Sequence, residues 1–227
     1  MRLIASVQGS SLLHVSADDV TPPGGVMARD LIEFVAQTYA FAVKPDIPPG
    51  IAPAALPALV FQSGELAHDQ GKLPITNLVI VPNGEIVTSR TTDVADLIVN
   101  DYVSRLDSKF GYRFAQARQH RTHHSSVVVQ FEGGIETRLR ALGAIEEILN
   151  LHIPRPDVPF KIKRLGFGYG DIPAIPMMFS IDAFDKSDFV IERRASEPYS
   201  ENRYFCSAPT STNEHVRILG MIEEALS

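Results

Sequence analysis

A cluster of basic side chains interrupts the middle of the sequence. Three histidines fall within five residues, at His120, His123 and His124, with Arg121 between them. Neutral imidazole is a good ligand for zinc, nickel and copper, and imidazole changes charge between pH 5 and 8. Side chains this close in sequence point in different directions, and no Asp or Glu lies nearby to complete a metal site. We therefore interpret the cluster as a solvated loop and predict no metal, with a pH-responsive interface as the intermediate alternative.

Arginine and aromatic residues occur together in two segments, one from Tyr112 to His124 and the other from Arg193 to Phe205. Cationic and aromatic side chains in this mixture are typical of surfaces that contact phosphate and stack bases. If both segments shared a face, nucleic acid or an acidic protein would be a credible partner. The alternative is that the arginines only solubilise strands and loops. The candidate binding residues are Arg113, Arg118, His120, Arg121, His123, His124, Arg193, Arg194, Arg203 and Tyr204.

No pattern of polar residues defines a reaction centre. Four carboxylates occur close together late in the chain: Asp182, Asp185, Asp188 and Glu192. They could hold Mg²⁺ in a nuclease-like site. The alternative is that they form a turn or face outward from a strand. The glycine-rich segment 165–171 lacks the spacing of a phosphate loop. Cys206 has no activating base nearby in sequence, so we expect a buried, inert thiol. We predict no catalytic residue and no cofactor.

Composition indicates an ordinary globular protein. The 227 residues are 44% hydrophobic and 21% charged, as in most globular proteins. The length permits one large or two small domains. Because no break in composition divides the chain, we predict one domain over residues 1–227, with a weak subdivision near 111–124. A formal net charge of −6 argues against a surface that binds nucleic acid or anionic membrane over its whole extent. The apolar stretches are too short for a signal peptide or a membrane span. We therefore expect a cytoplasmic protein with no membrane partner.

The clearest structural pattern lies between Leu73 and Phe110. Residues 75–81 and 85–89 are rich in β-branched side chains, and Pro82-Asn83-Gly84 between them predicts a hairpin. A helix is predicted from about Asp93 to Phe110, because Thr91 to Asp93 can cap its first turn and Gly111 suits the residue after its end. The hairpin and the helix together predict a ββα unit.

The rest of the chain predicts further strands and helices. Gly9-Ser10 predicts a turn between a strand at Arg2–Gln8 and another at Ser11–Val15. Other strands are predicted at residues 58–66, 125–131, 160–167, 177–184, 189–193 and 204–207. Helices are predicted at about 26–39, after Gly133-Gly134, and after Ser211, which with Glu214 matches a capping box. The second of these helices has a regular apolar stripe that we expect to face the core: Ile135, Leu139, Leu142, Ile145, Ile148 and Leu149.

These elements predict a single α+β domain, with a mostly antiparallel sheet built from hairpins and about four helices packed on it. A hairpin followed by a capped helix occurs at residues 75–110 and again at 177–226. This order is consistent with duplicated ββα units, but poor residue identity favours a coincidence common in α+β domains. We expect a non-catalytic interaction or assembly protein within a homo-oligomer or larger complex. The alternatives are a nucleic-acid-associated protein, which includes a metal-dependent nuclease, and a small-molecule enzyme whose site is assembled only in space.

Overall fold

One antiparallel sheet runs through the whole described part of the molecule. The computed structural model describes residues 1–46, 58–69, 71–135, 139–152, 161–168, 188–194 and 197–226. Eight strands hydrogen-bond side by side in the order β2-β3-β4-β1-β5-β8-β7-β6, and every neighbouring pair is antiparallel. The strands are β1 (Arg2–His14), β2 (Leu59–His68), β3 (Gly71–Val81), β4 (Gly84–Ser89), β5 (His120–Gln130), β6 (Arg164–Phe167), β7 (Phe189–Arg193) and β8 (Arg203–Ala208). The predicted α+β class and antiparallel sheet are confirmed.

The hairpin and helix between Leu73 and Phe110 form as predicted. β3 is an inner strand between β2 and β4, and Gly84 at the turn has a φ of 146°, which glycine adopts without strain. The helix that follows begins where the Thr91 hydroxyl accepts a hydrogen bond from the backbone N–H of Val94. It ends at Gly111, which has a φ of 73° in the left-handed region. Local capping chemistry therefore sets both ends of this helix.

The described residues form five α-helices, one of them a single turn. They are α1 (Ala17–Val20), α2 (Ala28–Thr38), α3 (Thr92–Phe110), α4 (Arg140–His152) and α5 (Thr212–Ala225). Ser211 caps α5 as predicted, because its hydroxyl accepts from the backbone N–H of Glu214. Two large apolar clusters lie between the helices and the sheet. One joins α2 and α3 to the strands of the first half, and the other joins α5 to those of the second half.

The two halves of the chain have the same topology. Apart from the single turn α1, the described elements of the first half follow in the order β1, α2, β2, β3, β4 and α3, and those of the second half follow in the same order, β5, α4, β6, β7, β8 and α5. The strand order is therefore symmetric about the β1–β5 contact. Gly9 pairs with Ser89 at the end of β4, Ser125 pairs with Ala208 at the end of β8, and Gly9 and Ser125 pair with each other. A near-twofold axis consequently passes between Gly9 and Ser125. The repeated unit is larger than the ββα unit weighed in the sequence analysis, where poor residue identity favoured coincidence.

The amino-terminal ends of α3 and α5 meet at this axis. The backbone N–H of Thr92 donates to the Thr212 hydroxyl over 3.1 Å, and the backbone N–H of Thr212 donates to the Thr92 hydroxyl over 2.9 Å. Both threonines are buried. The reciprocal bonds satisfy two helix-terminal donors that would otherwise lack partners.

Two predicted elements differ from the structure around this axis. β1 is continuous from Arg2 to His14, so the predicted turn at Gly9-Ser10 is wrong. A side chain at residue 9 would place its Cβ 2.1 Å from the carbonyl carbon of Thr91, which explains why a glycine lies within a strand. The predicted loop through His120–His124 is also wrong, because β5 already begins at His120.

Some predictions lie outside the described residues, including the strand at 177–184. No helix within the described ranges is both long enough and apolar enough to cross a membrane.

Candidate functional site

The alternation of β5 divides the basic cluster between the two faces of the sheet. Arg121 and His123 lie on the face covered by α3, where both contact side chains of that helix. His120 lies on the opposite face, beside its cross-strand partner His14. Side chains two residues apart share a face of a strand, and adjacent ones do not. The cluster therefore cannot act as a single set of converging ligands.

Asp96 of α3 is the centre of the polar network on the helix-covered face. Its carboxylate accepts from the Ser11 hydroxyl at 2.6 Å and lies 2.9 Å from His123 Nε2 and 3.3 Å from an Arg121 guanidinium nitrogen. Arg121 also donates to the side-chain oxygen of Asn100 at 3.0 Å. Burial alone would raise the pKa of Asp96, but the hydrogen bonds from His123 and Ser11 and the charge of Arg121 hold it below its usual value. The network attaches α3 to β1 and β5.

The side chains of the opposite face form a separate polar group. His14 Nε2 lies 2.9 Å from the Thr122 hydroxyl, and the ring centroids of His14 and His120 are 5.7 Å apart. His124 follows on the same face, and burial lowers its pKa. In the described ranges, no three His, Cys, Asp or Glu side chains are close enough to hold a metal ion together.

The late arginines form a second cluster around β8. The Arg193 guanidinium is buried and stacks over the Tyr204 ring, 4.9 Å from its centroid. Glu197 accepts from Arg194 at 2.9 Å and from Arg203 at 3.1 Å. These contacts neutralise the two more exposed arginines within the molecule.

The two arginine segments lie at opposite ends of β5. Arg121 is near the start of this strand, whereas Arg203 pairs with Gln130 at its end. Nine residues of strand separate Arg121 from Gln130, about 30 Å at 3.3 Å per residue. Arg113 donates to the carbonyl oxygen of Thr21, and Arg118 is exposed. The nucleic-acid hypothesis required the two arginine segments to share a face. Their positions at opposite ends of β5 do not meet that condition.

Three buried titratable side chains have shifted pKa values. Burial raises the pKa of Glu85 to about 8, and the oxygen Oε2 of this carboxyl has no hydrogen-bond partner among the described residues. Burial, together with the charge of His124, lowers the pKa of His215 to about 4, and its Nδ1 lies 2.9 Å from the Ser125 hydroxyl. Burial raises the pKa of Cys206 to about 12, in agreement with the predicted buried, inert thiol.

Sequence reasoning did not find Asp96, Glu85 or His215 as members of polar sites. Asp96 lies 27 residues before His123 and meets it only because α3 crosses β5. The sequence identifies Glu85 only as a strand residue. The residues next to it in sequence do not indicate that tyrosines of the first-half core cover its face of β4. Of the four late carboxylates, Asp182 and Asp185 lie outside the described residues, and Glu192 is the cross-strand partner of Arg164.

One cleft of about 310 Å³ lies near the end of the sheet beside β6 and β7. Its walls include the aromatic rings of Phe167 and Phe189, with Pro209 and Ile218. Its described lining contains no ionisable side chain.

The least expected surface belongs to α4. Ile145, Ile148 and Leu151 are 52%, 56% and 74% exposed, although the sequence predicts that Ile145 and Ile148 face the core. Of the other predicted stripe residues whose side chains the structure describes, Ile135 is buried, Leu139 packs against the second-half core and Leu149 is partly buried. We call Ala144, Ile145, Ile148 and Leu151 the α4 stripe.

The equivalent helix of the first half behaves differently. The apolar side chains of α2, at Leu31, Ile32 and Val35, are at most 8% exposed. They face a wing of the sheet whose edge strand β2 has 10 residues, whereas the edge strand β6 has 4. The described part of the second-half wing is therefore the shorter of the two.

Comparison with known proteins gives no relative: neither a family model nor a curated protein matches this sequence.

Proposed function

We propose that this chain is a non-catalytic interaction protein that acts as a subunit of a homo-oligomer or a larger complex. The observation that carries the proposal is the exposed α4 stripe. Each of its three large side chains leaves about half or more of its surface in water, which forgoes on the order of 1 kcal/mol per side chain relative to burial. Contiguous apolar residues on a surface commonly mark a contact with another molecule.

The polar side chains give the proposal indirect support. Asp96 bonds to both Arg121 and His123, and Glu197 neutralises Arg194 and Arg203. These charged groups hold elements of the fold together, so we base the proposal on the exposed apolar side chains of α4.

Light scattering after size-exclusion chromatography tests the proposal. We expect the wild-type protein to have a mass above that of one chain, and we expect Ile148→Asp to lower that mass because a charge in an apolar contact is costly. Leu97→Asp is the matched control, since Leu97 is an apolar residue on α3 that is 45% exposed. A wild-type protein that elutes as a single chain at every concentration would contradict assembly into a homo-oligomer.

A further inference from the structure

We propose that His215 makes the attachment of α5 to the sheet sensitive to acid, because its ring takes up a proton readily only when the helix leaves the sheet. His215 lies in the first turn of α5 and contacts Ser125 beside the near-twofold axis. Its side chain is fully buried. This inference concerns a different part of the molecule from the α4 stripe and does not depend on the proposed function.

The contacts of the His215 ring suit a neutral imidazole. Nδ1 lies 2.9 Å from the Ser125 hydroxyl, whereas Nε2 is buried and has no hydrogen-bond partner among the described residues. The ring also packs edge-to-face with Phe189, and the two ring centroids are 5.4 Å apart. Neither the hydroxyl nor the phenyl ring carries a negative charge that would offset that of an imidazolium. Burial in this site therefore disfavours the protonated ring.

The charges near the His215 ring also oppose its protonation. His124 precedes Ser125 on β5, and a positive charge on His124 lowers the pKa of His215 further. The amino-terminal end of α5 adds the partial positive charge of a helix N-terminus. A proton on His215 would therefore meet charge of its own sign on the strand and on its own helix.

The other charged groups on the elements packed against His215 have other partners or positions. Asp93 of α3 accepts from the Asn213 side chain at 3.0 Å, and Glu214 of α5 pairs with Arg217. On the side of β7, Asp188 is exposed and Glu192 is the cross-strand partner of Arg164, while Arg193 stacks over Tyr204. Of the charged groups on these described elements, His124 is the one that acts on the pKa of His215.

The direction of the pH effect follows from the pKa of the ring in the two states. That pKa is near 6.5 when the ring is exposed to water and about 4 in the folded protein. Below pH 6.5 the opened form therefore binds more protons than the folded form, so the folded form loses stability as pH falls from about 6.5 to about 4. Each pH unit within this window changes the opening equilibrium by up to about tenfold. The attachment of α5 is consequently strongest above this window and weakest below it.

The thiol of Cys206 reports the opening of α5 in the full chain. Cys206 is buried in the same apolar cluster as Leu219 of α5, so a reagent reaches it only after the helix moves. A pyridyl disulfide reacts with thiols in mild acid and can label Cys206 at each pH. The comparison variant is His215→Gln, whose side chain stays polar but cannot be protonated in this range. We expect the ratio of the wild-type labelling rate to the variant rate to rise about thirtyfold from pH 7.5 to pH 5.

The ratio isolates His215, because wild type and variant share every other titratable group. His152→Gln is the matched control, since His152 is exposed at the end of α4, and its ratio to wild type should not change with pH. A ratio for His215→Gln that is equally constant overturns the inference.

An NMR titration of the His215 ring in the wild-type protein decides the question if His215→Gln does not fold. A ring that is still neutral at pH 5 supports the inference, and a ring that becomes charged near pH 6.5 in the folded protein overturns it. Both measurements are independent of the oligomeric state, so their failure would leave the proposed function standing.

Discussion

Glu85 places a carboxylic acid inside an apolar region of the protein. It lies on β4 with 6% of its surface exposed, and its charge would act on the nearby hydroxyls of Tyr102 and Tyr112. Ionised carboxylates are strongly disfavoured where water is excluded, so the native state retains the proton up to about pH 8. The unfolded chain releases that proton near pH 4.5. Glu85 therefore lowers the free energy of unfolding as pH rises from about 4.5 to about 8.

Glu85→Gln should remove this pH dependence. We expect the free energy of unfolding of the variant, relative to wild type, to rise by about 3 kcal/mol between pH 5 and pH 8, since each pKa unit is worth about 1.4 kcal/mol. Urea unfolding at several pH values measures the difference, with exposed Glu147→Gln as the control. Parallel pH profiles for Glu85→Gln and wild type would show that Glu85 is ionised in the native protein.

The histidine cluster shows what local sequence can predict at this scale. The prediction that three close histidines diverge is consistent with the structure, because adjacent residues of β5 face opposite sides. The predicted loop was wrong, because polar residues in a strand look like loop residues when the covering helix is not known. Asp96 supplies the acid that the sequence appeared to lack, through a contact between residues far apart in the chain.

At the scale of elements, local chemistry predicts helix ends well and tertiary contacts poorly. The boundaries of α3 follow from Thr91 and Gly111, which are neighbours of the helix in sequence. The apolar spacing of α4 correctly predicts a helix with one apolar side, but spacing cannot tell whether the protein itself covers that side. The sequence predicts a turn at Gly9 because it does not show tertiary contacts. The atoms that exclude a side chain at this position belong to residues 91 and 92, which are distant in sequence.

Gly9→Ala tests the close approach between β1 and the start of α3. The added Cβ would lie 2.1 Å from backbone at Thr91, so the strand or the helix must move. We expect a loss of about 3 kcal/mol in the free energy of unfolding, as for other overpacked sites. Thermal or urea unfolding measures the loss.

Gly220→Ala is the matched control for that experiment. Gly220 lies inside α5, and a Cβ there meets no atom within 4 Å. Alanine should stabilise that helix by about 0.5–1 kcal/mol, because glycine is the poorer helix former. Equal effects at the two positions would contradict the close approach at Gly9.

At the scale of the whole molecule, the sheet joins both halves through the long β1–β5 pairing. Each half contributes its own apolar cluster, yet the central strands belong to both. Sequence could not predict this arrangement, because strand order depends on contacts between distant residues and the halves share little identity. We expect the halves to unfold together, since separating them would expose the backbone of β1 and β5.

Cys206 reports on this coupling from the second half. Its thiol is fully buried, so a thiol reagent reacts with it only after that half opens. Leu78→Ala removes a buried side chain from the first-half cluster and should cost about 2–5 kcal/mol. We expect Cys206 to be labelled at least about thirtyfold faster in this variant, because each 1.4 kcal/mol changes an equilibrium about tenfold. An unchanged labelling rate would mean that the halves open independently.

The near-twofold axis between Gly9 and Ser125 also bears on the origin of the molecule. A sheet with this symmetry can be assembled from two identical chains of half the length, each contributing one long central strand. Fusion of two such genes releases the halves from the requirement to stay alike. One copy of the repeated helix is then free to complete the interior while the other leaves apolar side chains exposed, which is the difference between α2 and α4.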